Sequence, residues 1–345
     1  MMKLYEIPKI CLIMPYFGNL PPNWGGFIES CKDNKNIDFL FITDCAIDSI
    51  PSNVHIINVS WEKFKKEIVE KLKKIGYKRI CLTHPYKICD IRPCFGFLFE
   101  EYLRGYEFWG YMDCDLIWGN IGKFLYHSLI NEWDRLYRHG HLSICKNKKD
   151  LNMLFMSSKD FKRVLATTFS CNFDESGFNR LLEASEFKFR SIKENADFAE
   201  YDYAYRCFNI GHTELGELFV KDSDGATKVY RKLASGQIEC IEVNYIHFLS
   251  KKDIIIPNDI EPPYCISHKG VFSLKEISID EAIEKYTLCS KAEQSRFLRK
   301  KISAMRKASF KKIIRELKCN HIYAIGSISG RIKGWFDSLK FINKK

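Results

Sequence analysis

The sequence lacks the markers of several large protein classes. It contains no run of about 18 apolar residues, so no transmembrane helix is expected. The apolar start, MMKLYEIPKICLIMPYFG, has no small-residue cleavage site and is predicted to be a first strand rather than a signal peptide. Neither GxxxxGK[ST] nor GxGxxG occurs, which argues against nucleotidyl- and phosphotransferases that hold phosphates in a Gly-rich loop.

Paired cysteines are also missing. The 14 cysteines are scattered singly and none forms a CxxC pair, which argues against a zinc ribbon. Because no signal peptide is expected, the cysteines are predicted to be reduced and mostly buried thiols of a cytosolic protein.

The positive charge is concentrated at the C-terminal end. The chain carries a net charge of +11, and residues 291–345 hold 16 Lys/Arg against 3 Asp/Glu. The preceding residues hold 38 against 40 and are nearly neutral. A length of 345 residues and a hydrophobic fraction of 46% suit one large α/β domain with an appendage, or two modest domains.

Short apolar segments alternate with a helical pattern near the start. Residues 10–15, 37–43 and 54–59 are predicted strands, and 61–75 carries apolar residues at helical spacing. This order predicts a mostly parallel, Rossmann-like sheet flanked by helices. Ligands of such sheets bind beyond the carboxyl ends of the strands, which directs attention to Tyr16, Thr43 and Asp44.

Residues 109–120 read WGYMDCDLIWGN and place two aspartates inside an apolar run. A helix that has Pro93 in its first turn and continues over residues 95–103 is predicted to precede a buried strand at 108–112. Alternation along the extended backbone puts Asp113 and Asp115 on one side of the chain. Two oxygen ligands on one side suit Mn²⁺ or Mg²⁺, whereas an isolated Asp-x-Asp is more often a loop or a helix cap.

This segment resembles the DxD motif of bacterial GT-A-type glycosyltransferases of capsule and O-antigen biosynthesis. The upstream YKICDIRP resembles their K-x-x-D-x-[KR]-P segment, and EVNYIHF at 242–248 resembles a later strand that ends in a metal-binding histidine. The three motifs occur in the expected order over about residues 8–250. The resemblance implies a GT-A-like domain over residues 1–270, followed by a basic helical extension over 271–345.

The resemblance implies a metal site and a donor site. The predicted metal site comprises Asp113, Asp115 and His247. Asp113 would face the ribose and the metal's waters, and Asp115 and His247 would bind Mn²⁺ or Mg²⁺ directly, although His247 could equally be a core histidine. The cation would offset the charge of the departing diphosphate. Lys87, Asp90 and Arg92 could instead form a surface ion-pair cluster. The donor-binding candidates are Tyr16, Thr43, Asp44, Lys87, Asp90, Arg92 and Asp113.

The acceptor side is expected in the second half of the chain. An inverting transferase needs a carboxylate to take the proton of the attacking hydroxyl, and Asp174 or Glu175 in NFDESG is the candidate. Simple N-capping of a helix by Asp174 is the alternative. His141 in GHLSICKN is a candidate for acceptor binding. Residues 194–206 suit either sugar stacking or an amphipathic surface helix.

The tail predicts membrane contact. Residues 296–318 and 331–345 place apolar side chains near one helical face and Lys/Arg on the other, which is typical of membrane-surface helices. A partner-binding helix is an alternative. The apolar stripe argues against nucleic acid, because phosphate contacts require charge. The tail is therefore expected to hold the protein on the inner face of the cell membrane, where lipid-linked glycans are found.

These observations predict a metal-dependent glycosyltransferase that moves a sugar from a nucleotide donor, expected to be UDP-linked, to a lipid-linked glycan. Galactose and galactofuranose are candidate sugars, and no residue selects between them. A membrane-peripheral binding protein with a structural DxD, or another nucleotide-dependent transferase, remains the alternative.

Overall fold

The computed structural model describes most of the chain up to Thr287. The described residues are 8–123, 125, 132–137, 139–190, 208–209, 217–233, 235–248, 254–257, 259–267 and 269–287. The predictions made for residues 194–206 and for the tail at 291–345 therefore lie outside the described residues. None of the helices in the described ranges is both long and apolar enough to cross a membrane.

Fifteen strands and seven α-helices are assigned within these ranges. The strands are β1 (Ile10–Tyr16), β2 (Ile37–Thr43), β3 (Val54–Asn58), β4 (Phe108–Met112), β5 (Leu116–Trp118), β6 (Arg135–Leu136), β7 (Leu142–Lys146), β8 (Phe189–Arg190), β9 (Phe208–Asn209), β10 (Glu217–Lys221), β11 (Thr227–Lys232), β12 (Ile238–Val243), β13 (Tyr245–His247), β14 (Tyr264–Ser267) and β15 (Gly270–Ser273). The helices are α1 (Trp24–Cys31), α2 (Trp61–Lys74), α3 (Phe95–Leu98), α4 (Lys149–Asn152), α5 (Phe161–Leu165), α6 (Phe178–Glu183) and α7 (Ile279–Thr287).

The central sheet has seven strands in the order β3-β2-β1-β4-β7-β6-β8. The strands β3, β2, β1 and β4 run parallel, whereas β7 pairs antiparallel with both β4 and β6. The α/β class and the four leading strands are confirmed. The sheet is mixed but mostly parallel, as predicted, because β6 and β8 also pair in parallel and the antiparallel pairs among its described strands are the two made by β7. Neighbouring side chains of β1 enter the apolar layers on opposite faces of the sheet, with Ile13 on one face and Leu12 on the other.

Helix α2 forms where its periodicity predicted it. The side chain of Ser60 accepts a hydrogen bond from the backbone N–H of Lys63 at the N-terminus, and three lysines of the last turn suit the helix dipole. Phe64, Ile68 and Leu72 turn into the core. The helix predicted from Pro93 to residue 103 is much shorter than expected, because residues 85–94 form a 3₁₀ helix and only α3 follows as α-helix.

A second sheet, which the sequence did not predict, has five antiparallel strands in the order β12-β11-β10-β14-β15. Helix α7 packs on it through Ala282 and Ile283, which join a buried cluster with Leu218 and Val220. The domain boundary proposed at residue 270 falls inside the β14–β15 hairpin, and the described structure continues to Thr287.

A small third sheet connects the two larger ones. Strand β13 pairs antiparallel with β5 and parallel with β9. Since β5 follows Asp115 directly and β13 ends at His247, this pairing carries the histidine to the carboxyl end of β4. The distant EVNYIHF segment thereby reaches the aspartates of WGYMDCDL.

Candidate functional site

The two aspartates and the histidine meet at the carboxyl end of β4. His247 pairs in register with Leu116, the residue after Asp115. The distance from His247 Nε2 to Asp115 Oδ1 is 3.5 Å, and one ligand atom from each of Asp113, Asp115 and His247 lies within 4.8 Å of the others. The structure therefore brings together the three predicted metal ligands.

This donor set fits a small divalent cation. Two ligands that each lie about 2.1 Å from one ion can be at most about 4.2 Å apart, so the 3.5 Å pair can share an ion, and the other separations, all within 4.8 Å, exceed this limit by about 0.6 Å at most. Asp115 Oδ1 is buried and has no hydrogen-bond partner among the described residues. Two carboxylates and one imidazole suit Mn²⁺ or Mg²⁺, and the arrangement does not choose between them.

Arg92 links this corner to a second carboxylate. Its guanidinium forms an ion pair with Asp113, and its Nη1 lies 3.3 Å from Asp174 Oδ2 and donates to the backbone oxygen of Gly140 at 2.8 Å. Only 13% of the Arg92 side chain is exposed. One shielded cation thus separates the candidate metal ligand from the candidate base.

Asp174 occupies a π-helical turn, Phe173–Gly177, which is a conformation often found at functional sites. Asn172 starts the turn with a φ of 52°, in the left-handed region that asparagine tolerates. Asp174 lies inside the turn rather than at its N-cap, and 2% of the residue is exposed. Burial raises the pKa of Asp174 to about 7, and the Arg92 guanidinium opposes that rise. A carboxyl group with this pKa can accept a proton near neutral pH.

Gly140 is a site residue that the sequence reasoning missed. Its N–H donates to Glu175 Oε1 at 2.7 Å, while its oxygen receives the hydrogen bond from Arg92. A Cβ at this position would lie 2.9 Å from both Arg92 Nη1 and Asp174 Oδ2. Only glycine lets the backbone approach these groups so closely, and the one available signal was its position just before a strand in HGHLSI.

His141 lies against the candidate metal ligand His247. Its ring centroid is 4.3 Å from that of His247, and its Nε2 is buried without a hydrogen-bond partner among the described residues. Burial lowers the pKa of His141 well below its usual value, and the neighbouring His247 and His139 lower it further. The ring is therefore neutral at pH 7 and can exchange one hydrogen bond with a bound molecule.

These residues line one cavity of about 630 Å³, a volume within the range of small-molecule sites. Tyr86, which the sequence reasoning also missed, stands at this cavity with 65% of its surface exposed. An exposed ring there offers a stacking surface. The predicted residues that line the cavity are Tyr16, Arg92, Asp113, Asp115, His141, Asp174, Glu175 and His247.

Lys87 and Asp90 do not line the cavity, and their predicted contact with the donor is corrected. Both are fully buried, and Lys87 Nζ donates to Asp90 Oδ2 at 2.7 Å and to two backbone oxygens. Asp90 accepts the backbone N–H groups of Cys171 and Phe173, just before Asp174. The pair therefore holds the segment that positions the candidate base, as an internal ion pair and not a surface cluster.

Thr43 and Asp44 lie at the end of β2, outside the lining of the cavity. Thr43 is buried and its Oγ1 accepts the N–H of Cys45, and its contact with a donor stays a prediction. Asp44 is exposed and accepts the N–H of Gly18 at 3.2 Å, beside the loop that follows β1. Its contact with a donor stays a prediction.

Seven of the eleven cysteines in the described ranges are buried, as their scattered spacing predicted.

A family described as a family of unknown function, DUF6625, matches residues 12–275, and the chain belongs to this family. The match runs from β1 to just beyond β15 and contains every candidate site residue. No curated protein matches the chain.

Proposed function

We propose that this member of the DUF6625 family is a metal-dependent glycosyltransferase that uses a nucleotide sugar, expected to be UDP-linked, and a lipid-linked glycan acceptor. The supporting observation is the 3.5 Å approach of His247 Nε2 to Asp115 Oδ1 beside Asp113, in a cavity that also contains Asp174. In a binding protein with a structural Asp-x-Asp, there would be no need for a buried carboxylate such as Asp174, which Arg92 connects to Asp113.

The cavity residues divide into a donor side and an acceptor side. Asp113, Asp115 and His247 would hold a divalent cation, which when bound supplies Lewis-acid stabilisation of a diphosphate leaving group. Arg92 keeps Asp113 oriented and adds a fixed positive charge next to the same corner. Tyr16 and the exposed ring of Tyr86 offer stacking surfaces for a base or a sugar.

On the acceptor side, Asp174 would take the proton from the attacking hydroxyl. Arg92 Nη1 and the backbone N–H of Glu175 contact the two oxygens of this carboxylate, and the Glu175 side chain is tied to the Gly140 N–H. The neutral ring of His141 would hydrogen-bond an acceptor hydroxyl. With Asp174 acting as a base, the transfer is a single displacement, so the product should have the inverted anomeric configuration.

A screen of nucleotide sugars for thermal stabilisation, with and without Mn²⁺, tests the proposal. A donor that binds only the folded state, at a free concentration of about 100 times its dissociation constant, stabilises the protein by about 2.7 kcal/mol. The stabilisation should require Mn²⁺ and should vanish in Asp115→Asn. The exposed Asp280 on α7 provides the matched control, Asp280→Asn, which should respond like the wild type.

Product identification separates sugar transfer from the alternatives. Slow hydrolysis of the stabilising donor should release UDP and free sugar. Release of phosphate, or of a sugar phosphate with UMP, would instead indicate phosphoryl or nucleotidyl chemistry. Full Mn²⁺-dependent stabilisation of Asp115→Asn would refute the metal assignment.

A further inference from the structure

A basic surface lies outside the cavity. Residues 71–89 contain six Lys/Arg and no Asp/Glu. Because α2 turns Phe64, Ile68 and Leu72 inward, the lysines at its C-terminal end face solvent. Their exposed members continue past the end of the helix, and they are Lys73, Lys74, Lys78 and Arg79.

A second segment adds to this surface. The Tyr77 ring packs edge-on against Phe161 of α5 at 5.3 Å between centroids, and the Cys81 N–H donates to the Leu165 oxygen at 2.7 Å. Helix α5 and the turn before it are therefore neighbours of residues 77–81. This segment brings the exposed Lys159 and Lys162, whereas its one acid, Asp160, is paired with Arg163.

We define the basic patch as Lys73, Lys74, Lys78, Arg79, Lys159 and Lys162. An apolar side chain accompanies it, since Met156 is 43% exposed just before α5. The chain then runs from the patch to the cavity: Thr83 Oγ1 donates to the Thr168 oxygen at 2.8 Å, and Pro85 and Tyr86 follow as cavity residues. Residues 80–84 thus join Arg79 of the patch to Pro85 at the cavity.

We propose that the basic patch docks on an anionic phospholipid surface. Each Lys or Arg near such a surface is attracted to it, and the patch presents six, against the exposed Glu70 one turn before Lys74 and the acid Asp160, which is paired with Arg163. The exposed Met156 suits contact with the headgroup region, whereas binding to nucleic acid phosphates makes no use of a methionine. The choice of partner rests on the proposed function, whose acceptor is lipid-linked.

Vesicle binding by the full-length protein tests this docking surface. The patch variant combines Lys73→Gln, Lys78→Gln and Arg79→Gln, and the control combines Lys35→Gln, Lys232→Gln and Lys275→Gln. The control lysines are also exposed, and they lie before β2, at the end of β11 and just after β15. Each variant loses three positive charges. Binding is measured by co-sedimentation with phosphatidylcholine vesicles, with and without added phosphatidylserine.

The patch variant should bind phosphatidylserine vesicles about 100-fold more weakly than the wild type, because three surface cations are lost. The control should lose much less. Equal weakening of both variants would mean that only net charge matters, and unchanged binding of the patch variant would remove the patch from the interface; either result overturns the proposal. Wild-type binding that is equally strong without phosphatidylserine would also overturn it.

Two further measurements separate the remaining possibilities. A single-stranded RNA that binds the wild type more tightly than the vesicles do, and loses that binding in the patch variant, would assign the patch to nucleic acid and overturn the proposal. Mn²⁺-dependent stabilisation by a nucleotide sugar should survive in the patch variant, which also shows that the variant is folded. Absence of that stabilisation in all three proteins, with the vesicle result intact, would reject the proposed transferase and leave the docking surface standing.

Discussion

Asp174 should make the protein less stable as the pH rises toward neutrality. Burial raises its pKa from 3.8 to about 7, even though Arg92 opposes the rise. In the unfolded chain this pKa returns to its ordinary value, so between about pH 4 and pH 7 the folded state binds more protons than the unfolded state. The stability that the protonated carboxyl contributes is therefore complete below 3.8 and is lost as the pH rises through about 7.

The shift of about 3 pH units corresponds to about 4 kcal/mol. Since only 2% of Asp174 is exposed, solvent screening reduces this figure little. Asp174→Asn removes the titration and keeps the size of the side chain. The free energy of unfolding of the variant, relative to the wild type, should therefore rise by about 4 kcal/mol between about pH 4 and pH 8. New contacts made by the amide change the free energy of unfolding by the same amount at about pH 4 and at about pH 8, so they do not affect this rise.

Urea unfolding followed by tryptophan fluorescence, repeated across this pH range, measures the difference. Asp280→Asn provides a control, because this exposed carboxyl on α7 lies far from Arg92 in the chain and its removal should leave the difference nearly constant. If the difference between the wild type and Asp174→Asn also stayed constant within about 1 kcal/mol, Arg92 would keep Asp174 ionised at all these pH values and the reasoning would be refuted. Turnover, in contrast, should increase as the pH rises through about 7, because the base must be deprotonated.

Gly140→Ala should lower the free energy of unfolding by about 1–3 kcal/mol and should also lower turnover, because the added Cβ would lie 2.9 Å from Arg92 Nη1 and Asp174 Oδ2. Chemical unfolding and product assays measure the two effects, and unchanged values would contradict the close approach. His141→Phe should raise the KM for acceptor more than the KM for donor in initial-rate kinetics, because the ring loses its hydrogen bond while its bulk remains. Deleting residues 291–345 should weaken sedimentation with anionic vesicles without abolishing donor binding, and undiminished sedimentation would exclude the tail as an anchor.

The pairing of the two candidate metal ligands Asp113 and Asp115 was predictable because their geometry is local. Alternation in an extended chain puts Asp113 and Asp115 on one side, and apolar flanks indicate a buried strand before them. The position of His247 beside these aspartates was predicted from the order of three motifs, and the pairing of β13 with β5 confirms it. The five-stranded sheet was missed even though TKVYRK in β11 buries alternate residues, because its intervening polar residues resemble a loop.

The link between donor and acceptor sides could not be read from the sequence. Arg92 reaches Gly140 and Asp174 across 48 and 82 positions of the chain, and no periodicity connects residues so far apart. The pKa of Asp174 has the same origin, because it depends on burial created by the tertiary fold. Sequence spacing therefore named the carboxylate, whereas only the fold explains why it could act as a base.

Lys87 shows how the same spacing can mislead, and its structural role can be tested. Its ammonium is fully buried against Asp90, whose carboxylate also holds the backbone just before Asp174. Lys87→Met would leave Asp90 as a buried charge without its cation, which should lower the free energy of unfolding by about 3–5 kcal/mol and reduce turnover as Asp174 moves. Lys71→Met, which breaks a partly exposed pair with Glu101, should lower it by less than about 1 kcal/mol. If urea unfolding gave equally small effects for both variants, Lys87 would not hold this segment, and a direct contact with the donor would again have to be considered for it.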